Sequence, residues 1–157
     1  MNNQMVNSAI QDFQKELNDI ETIIQREGAL SSLAKYLTRY ALIRISGTFE
    51  FSYKNLIADY YTTSVIEPYL TNTIRDSSSN ASIDNIHRLL KSFDETKNDN
   101  FKNSLNGHDR NMSALKSINS LRNDFAHGKS VSVSFSNLRQ YFSDSILIFE
   151  KLDSVLV

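Results

Sequence analysis

The sequence predicts an all-α fold, a bundle of about five helices with a long antiparallel pair. The 157 residues include only four glycines and one proline, whereas a many-stranded sheet needs such residues at its frequent turns. Apolar residues recur at spacings of three and four along most of the chain, which is the helical period. We therefore expect long helices packed around a shared apolar core.

The length and composition predict a single domain over residues 1–157, long enough to bury a core without disulfide or metal support. Cysteine is absent, which excludes disulfides, thiolate metal sites and cysteine nucleophiles, and suits the cytoplasm. The first residues lack a signal-peptide pattern, and no apolar run approaches the ~18–20 residues of a membrane span. The expected protein is cytoplasmic and makes no contact with a membrane.

The first part of the chain predicts two long helices. Apolar residues at helical spacing give the first one, over residues 5–26, and Gly28 ends it because glycine readily adopts the left-handed cap conformation. Ser31 or Ser32 is a suitable N-cap for a second and much longer helix. Within that helix, Gly47 predicts a kink or a close contact with another helix.

Shorter elements follow. Pro68 suits the first turn of a short helix over residues 67–75, and Ser82 or Asp84 opens another helix. Residues 94–107 are polar and rich in asparagine, which predicts a loop or a weak helix.

Two helices are predicted in the last third of the chain. An apolar stripe from Met112 to Phe125 predicts a helix that stops at Gly128. Residues 131–135 alternate like a strand, but they are too short and isolated to form a sheet. A final amphipathic helix is predicted over residues 136–156.

The charge is unevenly distributed, although the net value is only −1. Residues 101–139 carry six basic and two acidic side chains, so this stretch is locally basic by four charges. Such a stretch is compatible with a polyanionic partner, and equally with a solvated helical face.

The most informative local pattern lies at the end of the penultimate helix. Arg122 is always charged, Asn123 supplies an amide, and His127 supplies an imidazole that can exchange a proton. On a helix, Asn123 and His127 lie one above the other, while Phe125 continues the apolar stripe. Gly128 then ends the helix directly after the histidine.

This pattern closely resembles the Arg-x4-6-His signature of HEPN domains, with four residues between Arg122 and His127. The organisation agrees, because the motif lies on the penultimate helix and a long helix follows it. The chain resembles most the bacterial RiboL-PSP-HEPN group, in which a stretch similar to that from Arg44 to Glu50 lies on an early long helix.

The resemblance implies metal-independent RNA cleavage without a cofactor, at the interface of a homodimer where both motifs meet. The products would carry 2′,3′-cyclic phosphate and 5′-hydroxyl ends. The implied setting is bacterial anti-phage defence or a toxin–antitoxin system, with an antitoxin or another defence protein as partner.

The residue types suit this chemistry. His127 can exchange the proton of a ribose 2′-hydroxyl, and Arg122 can stabilise charge on the phosphate. Asn123 would orient the imidazole or bind phosphate. Supporting roles are predicted for Lys129 and for two residues of the long second helix; these two are Arg44 and Glu50. Glu50 is expected to pair with Arg44 or Arg122, and a structural ion pair is favoured over a catalytic acid.

Two alternatives stay open. Arg122 and His127 near a helix C-terminus also stabilise the helix dipole, typically by ~0.3–1 kcal/mol each, and need have no other role. The chain would then be a non-catalytic HEPN dimer that binds RNA, a nucleotide or a protein partner as a regulatory component. No metal site is predicted, because His87 and His108 lack partners at metal-ligand spacing.

Overall fold

The computed structural model describes residues 1–157, which are 79% helical and form no strand. The predicted all-α fold is therefore confirmed. The α-helices are α1 (Gln4–Glu27), α2 (Ser32–Tyr61), α3 (Glu67–Leu70), α4 (Ile83–Phe93), α5 (Glu95–Ser104), α6 (Asp109–Ala126) and α7 (Phe135–Leu156). A π-helical turn over Thr71–Arg75 extends α3. None of the helices is both long enough and apolar enough to cross a membrane.

Side chains at the helix starts explain several of these boundaries. The hydroxyl of Ser31 accepts a hydrogen bond from the N–H of Ala34, and that of Ser82 accepts one from the N–H of Asn85. These caps satisfy N–H groups that have no partner inside the helix. Helix α1 ends at Gly28, as the sequence predicted, and the N–H of this glycine donates to the Ile24 carbonyl. Its φ is 90°, but its ψ of 136° lies outside the left-handed helical conformation that was expected.

The four longest helices form an antiparallel arrangement. A short loop joins α1 to α2, so these two run in opposite directions, which confirms the predicted long pair. The N–H of Asn3 donates to Asp153 near the end of α7, and Arg139 near its start pairs with Glu21. Helix α7 thus runs antiparallel to α1, and α6 is antiparallel to α7 because it precedes α7 through a reversing loop.

The core is a cluster of 28 buried apolar residues drawn from six of the helices. Aromatic rings lie at its centre, where the Phe49 ring stacks on Phe142 at 5.3 Å and on Phe149 at 4.6 Å between centroids. Phe13 meets Phe142 edge to face at 5.3 Å. These contacts join α1, α2 and α7, and aromatic pairs of this kind add about 0.5–1.5 kcal/mol each beyond their buried area.

The helix count is the main difference from the sequence prediction. Residues 94–107 contain the regular helix α5, whereas a loop or weak helix was predicted. The Asp94 carboxylate caps the N–H of Lys97, and Phe101 and Leu105 are buried in the core. Tertiary burial therefore stabilises a segment whose asparagine-rich sequence has low helix propensity.

One smaller expectation also changed, and another was confirmed. Helix α2 continues through Gly47, and no atom lies within 4 Å of the position that a Cβ would occupy there, so the predicted close contact is absent. The segment 131–135 pairs with no other strand, and its last residue, Phe135, begins α7.

Candidate active site at the end of helix α6

The C-terminus of α6 has the geometry of a Schellman motif. The N–H of Lys129 donates to the Asp124 carbonyl at 2.9 Å, and the N–H of Gly128 donates to the Phe125 carbonyl at 3.0 Å. Gly128 has a φ of 72°, which a residue without a Cβ adopts at little cost. The chain therefore turns away directly after His127, and this histidine caps the helix with its side chain exposed.

Arg122 has no acidic partner. Its only side-chain hydrogen bond is a long one of 3.4 Å, from Nη1 to Oδ1 of the neighbouring Asn123. Most of its donors are therefore available to an external anion, and a guanidinium binds phosphate oxygens well. Asn123 is exposed and makes no hydrogen bond to the His127 ring within this chain.

Lys129 is held close to the motif by an ion pair. Its Nζ lies 2.8 Å from the Asp124 carboxylate, across the turn that ends α6. Both side chains are partly exposed, so this pair contributes little to stability, on the order of 0–1 kcal/mol. The charge of Asp124, which would otherwise repel a phosphate near the motif, is offset by Lys129.

Glu50 has a different partner from either of those predicted. Its carboxylate lies 2.5 Å from Nζ of Lys54, one turn further along α2, and accepts a hydrogen bond from the N–H of Ser79. Lys54 is buried and also donates to the Ser77 carbonyl. The expected pairing of Glu50 with Arg44 or Arg122 is thus wrong, and the ion pair instead anchors the loop before α4 onto α2.

Arg44 is engaged with α1. Its Nη2 lies 3.0 Å from the Glu16 carboxylate, and its guanidinium is 5.6 Å from the centroid of the Phe13 ring. Tyr40 also donates to Glu16, at 2.5 Å. Burial alone would raise the pKa of Glu16, but the hydrogen bonds from Arg44 and Tyr40 outweigh it, so this pKa is lowered. The hydrogen bond to Glu16 raises the pKa of both Tyr40 and Arg44.

The segment that follows the motif separates two grooves. Residues 132–134 line a groove of about 480 Å³ beside Ser117, Ser120 and Leu121 of α6. The same residues line a larger groove of about 660 Å³, whose other walls are the end of α1 and the start of α2. The Arg122–His127 motif therefore lies at the end of the bundle that carries the α1–α2 loop.

The outer face of α2 carries a stripe of exposed apolar side chains, of which Tyr40 also donates a hydrogen bond to Glu16 of α1. The stripe comprises five exposed side chains at spacings of three to eight residues: Leu33, Tyr36, Tyr40, Ile43 and Phe51. The stripe spans about 27 Å, given a rise of ~1.5 Å per residue over the 18 residues from Leu33 to Phe51. Helix α2 thus has apolar residues both on the side that faces the core and on its outer side. Exposed apolar patches of this kind are typical of interaction surfaces.

Comparison with known proteins identifies the family. The family described as RiboL-PSP-HEPN matches residues 8–157, and the matched range contains the whole Arg122–His127 motif. The chain belongs to the RiboL-PSP-HEPN family. HEPN domains are generally associated with ribonucleases, and they often bind RNA and dimerise. No curated protein and no solved structure gave a significant match.

Sequence and structure thus agree on the family and on the location of the motif at the end of α6. Arg122, Asn123, His127 and Lys129 lie together there, whereas Arg44 and Glu50 have separate partners. The described residues contain no group of three His, Cys, Asp or Glu side chains arranged to hold a metal ion. The larger groove was not predicted, since its walls come from three distant stretches of sequence.

Proposed function

We propose that this RiboL-PSP-HEPN domain is a metal-independent endoribonuclease. The observation that carries the proposal is the guanidinium of Arg122, which has no acidic partner, close in sequence to the exposed imidazole of His127 at the capped end of α6. Both side chains are free to contact an RNA strand, and both are of the types that phosphodiester cleavage requires.

His127 would act on protons. Its imidazole takes the proton from a ribose 2′-hydroxyl, and the 2′-oxygen attacks the adjacent phosphorus. The bond from phosphorus to the 5′-oxygen then breaks, and the protonated imidazole of His127 gives its proton to this oxygen as it leaves. The products are a 2′,3′-cyclic phosphate and a 5′-hydroxyl, so no external nucleophile or redox partner is consumed.

Arg122 would stabilise the transition state. Negative charge grows on the non-bridging phosphate oxygens as the 2′-oxygen attacks, and the planar guanidinium offers two parallel donors to those oxygens. Asn123 presents an exposed amide beside Arg122 and would add a further hydrogen bond to phosphate. Lys129 supports the site by neutralising Asp124.

The active form would be a homodimer with the two motifs at the interface. One Arg122 and one His127 at a helix end leave an RNA strand open to water on its other side, and a second copy would close the site. The uncovered apolar stripe of α2 supports self-association. Its N-terminal end lies near Lys35 and Arg39, which line the same groove as the segment after the motif.

We further propose one cytoplasmic domain over residues 1–157, supported by its 28-residue core and by the family match over most of the chain. Uncontrolled RNA cleavage harms the cell that produces the enzyme. The proposed setting is therefore anti-phage defence or a toxin–antitoxin system, in which an antitoxin or another defence protein restrains the nuclease.

The test uses purified wild-type protein and the His127→Ala variant, each incubated with total bacterial RNA in EDTA. Removing the general base should lower the cleavage rate by about 10²–10⁴-fold. Fragment ends should carry 2′,3′-cyclic phosphate in the wild-type reaction alone. Equal cleavage by both proteins would contradict the role of His127, and cleavage abolished by EDTA would contradict metal independence.

A non-catalytic role is the second candidate, and the uncovered stripe of α2 favours it because such a surface also suits a regulatory partner. In that case neither protein cleaves RNA, and binding of RNA, a nucleotide or a protein partner persists after His127→Ala.

A further inference from the structure

The larger groove beside the motif carries a local excess of positive charge. Its walls include one acidic side chain, Glu21, and two basic ones, Lys35 and Arg39. Glu21 is already paired with Arg139 of α7. Lys35 and Arg39 are both exposed and make neither an ion pair nor a side-chain hydrogen bond within the chain. The groove therefore presents two unneutralised positive charges.

The segment after the motif adds free hydroxyl groups to this groove. Serine occupies every second position from residue 130 to residue 136, and all four serines line the groove. The hydroxyl of Ser134 caps α7, whereas those of Ser130 and Ser132 make no hydrogen bond within the chain. Two free hydroxyls and two unpaired cations thus line the same groove of about 660 Å³.

The groove lies within a short distance of the motif. Ser130 follows His127 by three residues, so their Cα atoms are at most about 11 Å apart at ~3.6 Å per extended residue. A chain of nucleotides whose scissile phosphate lies at His127 would reach the groove with the next few phosphates.

We propose that this groove binds single-stranded RNA on one side of the cleaved phosphate, with Lys35 and Arg39 each neutralising one backbone phosphate. This inference rests on the proposed ribonuclease function and extends it to the substrate path. Ser130 and Ser132, which also line the groove, donate hydrogen bonds to phosphate or sugar oxygens of the RNA. Because contacts to the backbone carry no base information, the groove adds affinity and orientation and leaves the sequence preference unchanged.

The salt dependence of RNA binding tests this directly. The His127→Ala protein serves as the background so that the RNA stays intact, and the probe is a fluorescent single-stranded oligoribonucleotide titrated at several salt concentrations. Each lost phosphate contact reduces the slope of log K against log salt by about 0.7 for a single strand. The double substitution Lys35→Gln and Arg39→Gln should therefore weaken binding and make the slope less steep by ~1.4.

Lys102→Gln with Lys151→Gln is the matched control, since it removes two other lysines that have no acidic partner and do not line the groove. This control should retain the slope of its parent. An equal slope change in both double variants would show a general charge effect and overturn the groove assignment. Unchanged binding after the groove substitutions would also overturn it, while wild-type cleavage in the separate EDTA assay would leave the nuclease proposal intact.

Discussion

At the scale of single residues, the site depends on the difference between a guanidinium and a simple cation. The guanidinium of Arg122 makes one long hydrogen bond, to Asn123, so its other N–H groups have no hydrogen-bond partner within the chain. A lysine at this position would keep the positive charge but lose the planar pair of donors that matches two phosphate oxygens.

We expect Arg122→Lys to lower kcat/KM for RNA cleavage by about 10²-fold, in the range seen when one transition-state donor is removed. Thermal stability should change by less than about 0.5 kcal/mol, because Arg122 forms no ion pair and only one long side-chain hydrogen bond. The measurement is steady-state cleavage of a defined RNA together with a melting curve.

Arg88→Lys is the control for this substitution, since Arg88 lies on α4 and its one side-chain hydrogen bond goes to Asn85. It should cleave at the wild-type rate. Full activity in the Arg122→Lys variant would show that a positive charge alone suffices and that the planar pair of guanidinium donors is not needed.

Residue-scale prediction worked where the relevant residues are neighbours in sequence. Arg122, Asn123, His127 and Gly128 lie within two turns, so helical geometry alone fixes their approximate relation. The partner of Glu50 also lies one turn away on the same helix, so the spacing of four residues between Glu50 and Lys54 could have found it. What the spacing could not show is that residues 77–79 pack over α2 and bury Lys54.

At the scale of elements, the end of α6 determines where His127 points. The two hydrogen bonds of the Schellman motif require a left-handed residue at position 128, and the exposed histidine precedes that residue directly. Gly47 provides a comparison, because it lies in the interior of a helix with open space around it.

Gly128→Ala should destabilise the protein by about 1–2 kcal/mol, because a Cβ disfavours the left-handed conformation. Gly47→Ala should stabilise it by about 0.5–1 kcal/mol, since alanine is the better helix former. Urea denaturation of both variants measures the difference. Similar stability changes in the two variants would contradict the assigned cap geometry, and a loss of cleavage specific to Gly128→Ala is expected from the displaced imidazole.

The elements themselves were predictable to the extent that their stabilising interactions are local. The ends of α1 and the start of α2 follow from Gly28 and Ser31, whose cap roles depend on adjacent backbone. Helix α5 was predicted only as a loop or a weak helix, because its stability comes from the burial of Phe101 among the other helices. The sequence pattern reports the helix propensity of this segment, and here the stabilisation from tertiary packing is larger than the cost of that low propensity.

At the scale of the whole molecule, the sequence predicted only some of the basic residues that gather near the motif. The basic stretch of residues 101–139 is visible by counting, but Lys35 and Arg39 join the same end of the molecule only through the antiparallel packing of α1, α2 and α7. The same packing leaves the side chains of the outer stripe of α2 exposed.

The stripe on α2 therefore links the fold to the proposed dimer. Ile43 lies near its middle, and an aspartate there would place a charge inside the proposed interface without disturbing the core, since Ile43 is exposed in the single chain. We expect the Ile43→Asp protein to be a monomer when its mass is measured by light scattering, to retain the helical circular dichroism signal, and to lose RNA cleavage.

The control is Val65→Asp, at a position 87% exposed and outside the stripe, which should remain dimeric and active. An active Ile43→Asp monomer would show that one copy of the motif suffices, and a wild-type protein that is monomeric at all concentrations would overturn the dimer itself. Loss of both dimerisation and cleavage in Ile43→Asp alone would instead mean that the apolar face of α2 exists to complete a site that a single chain leaves open.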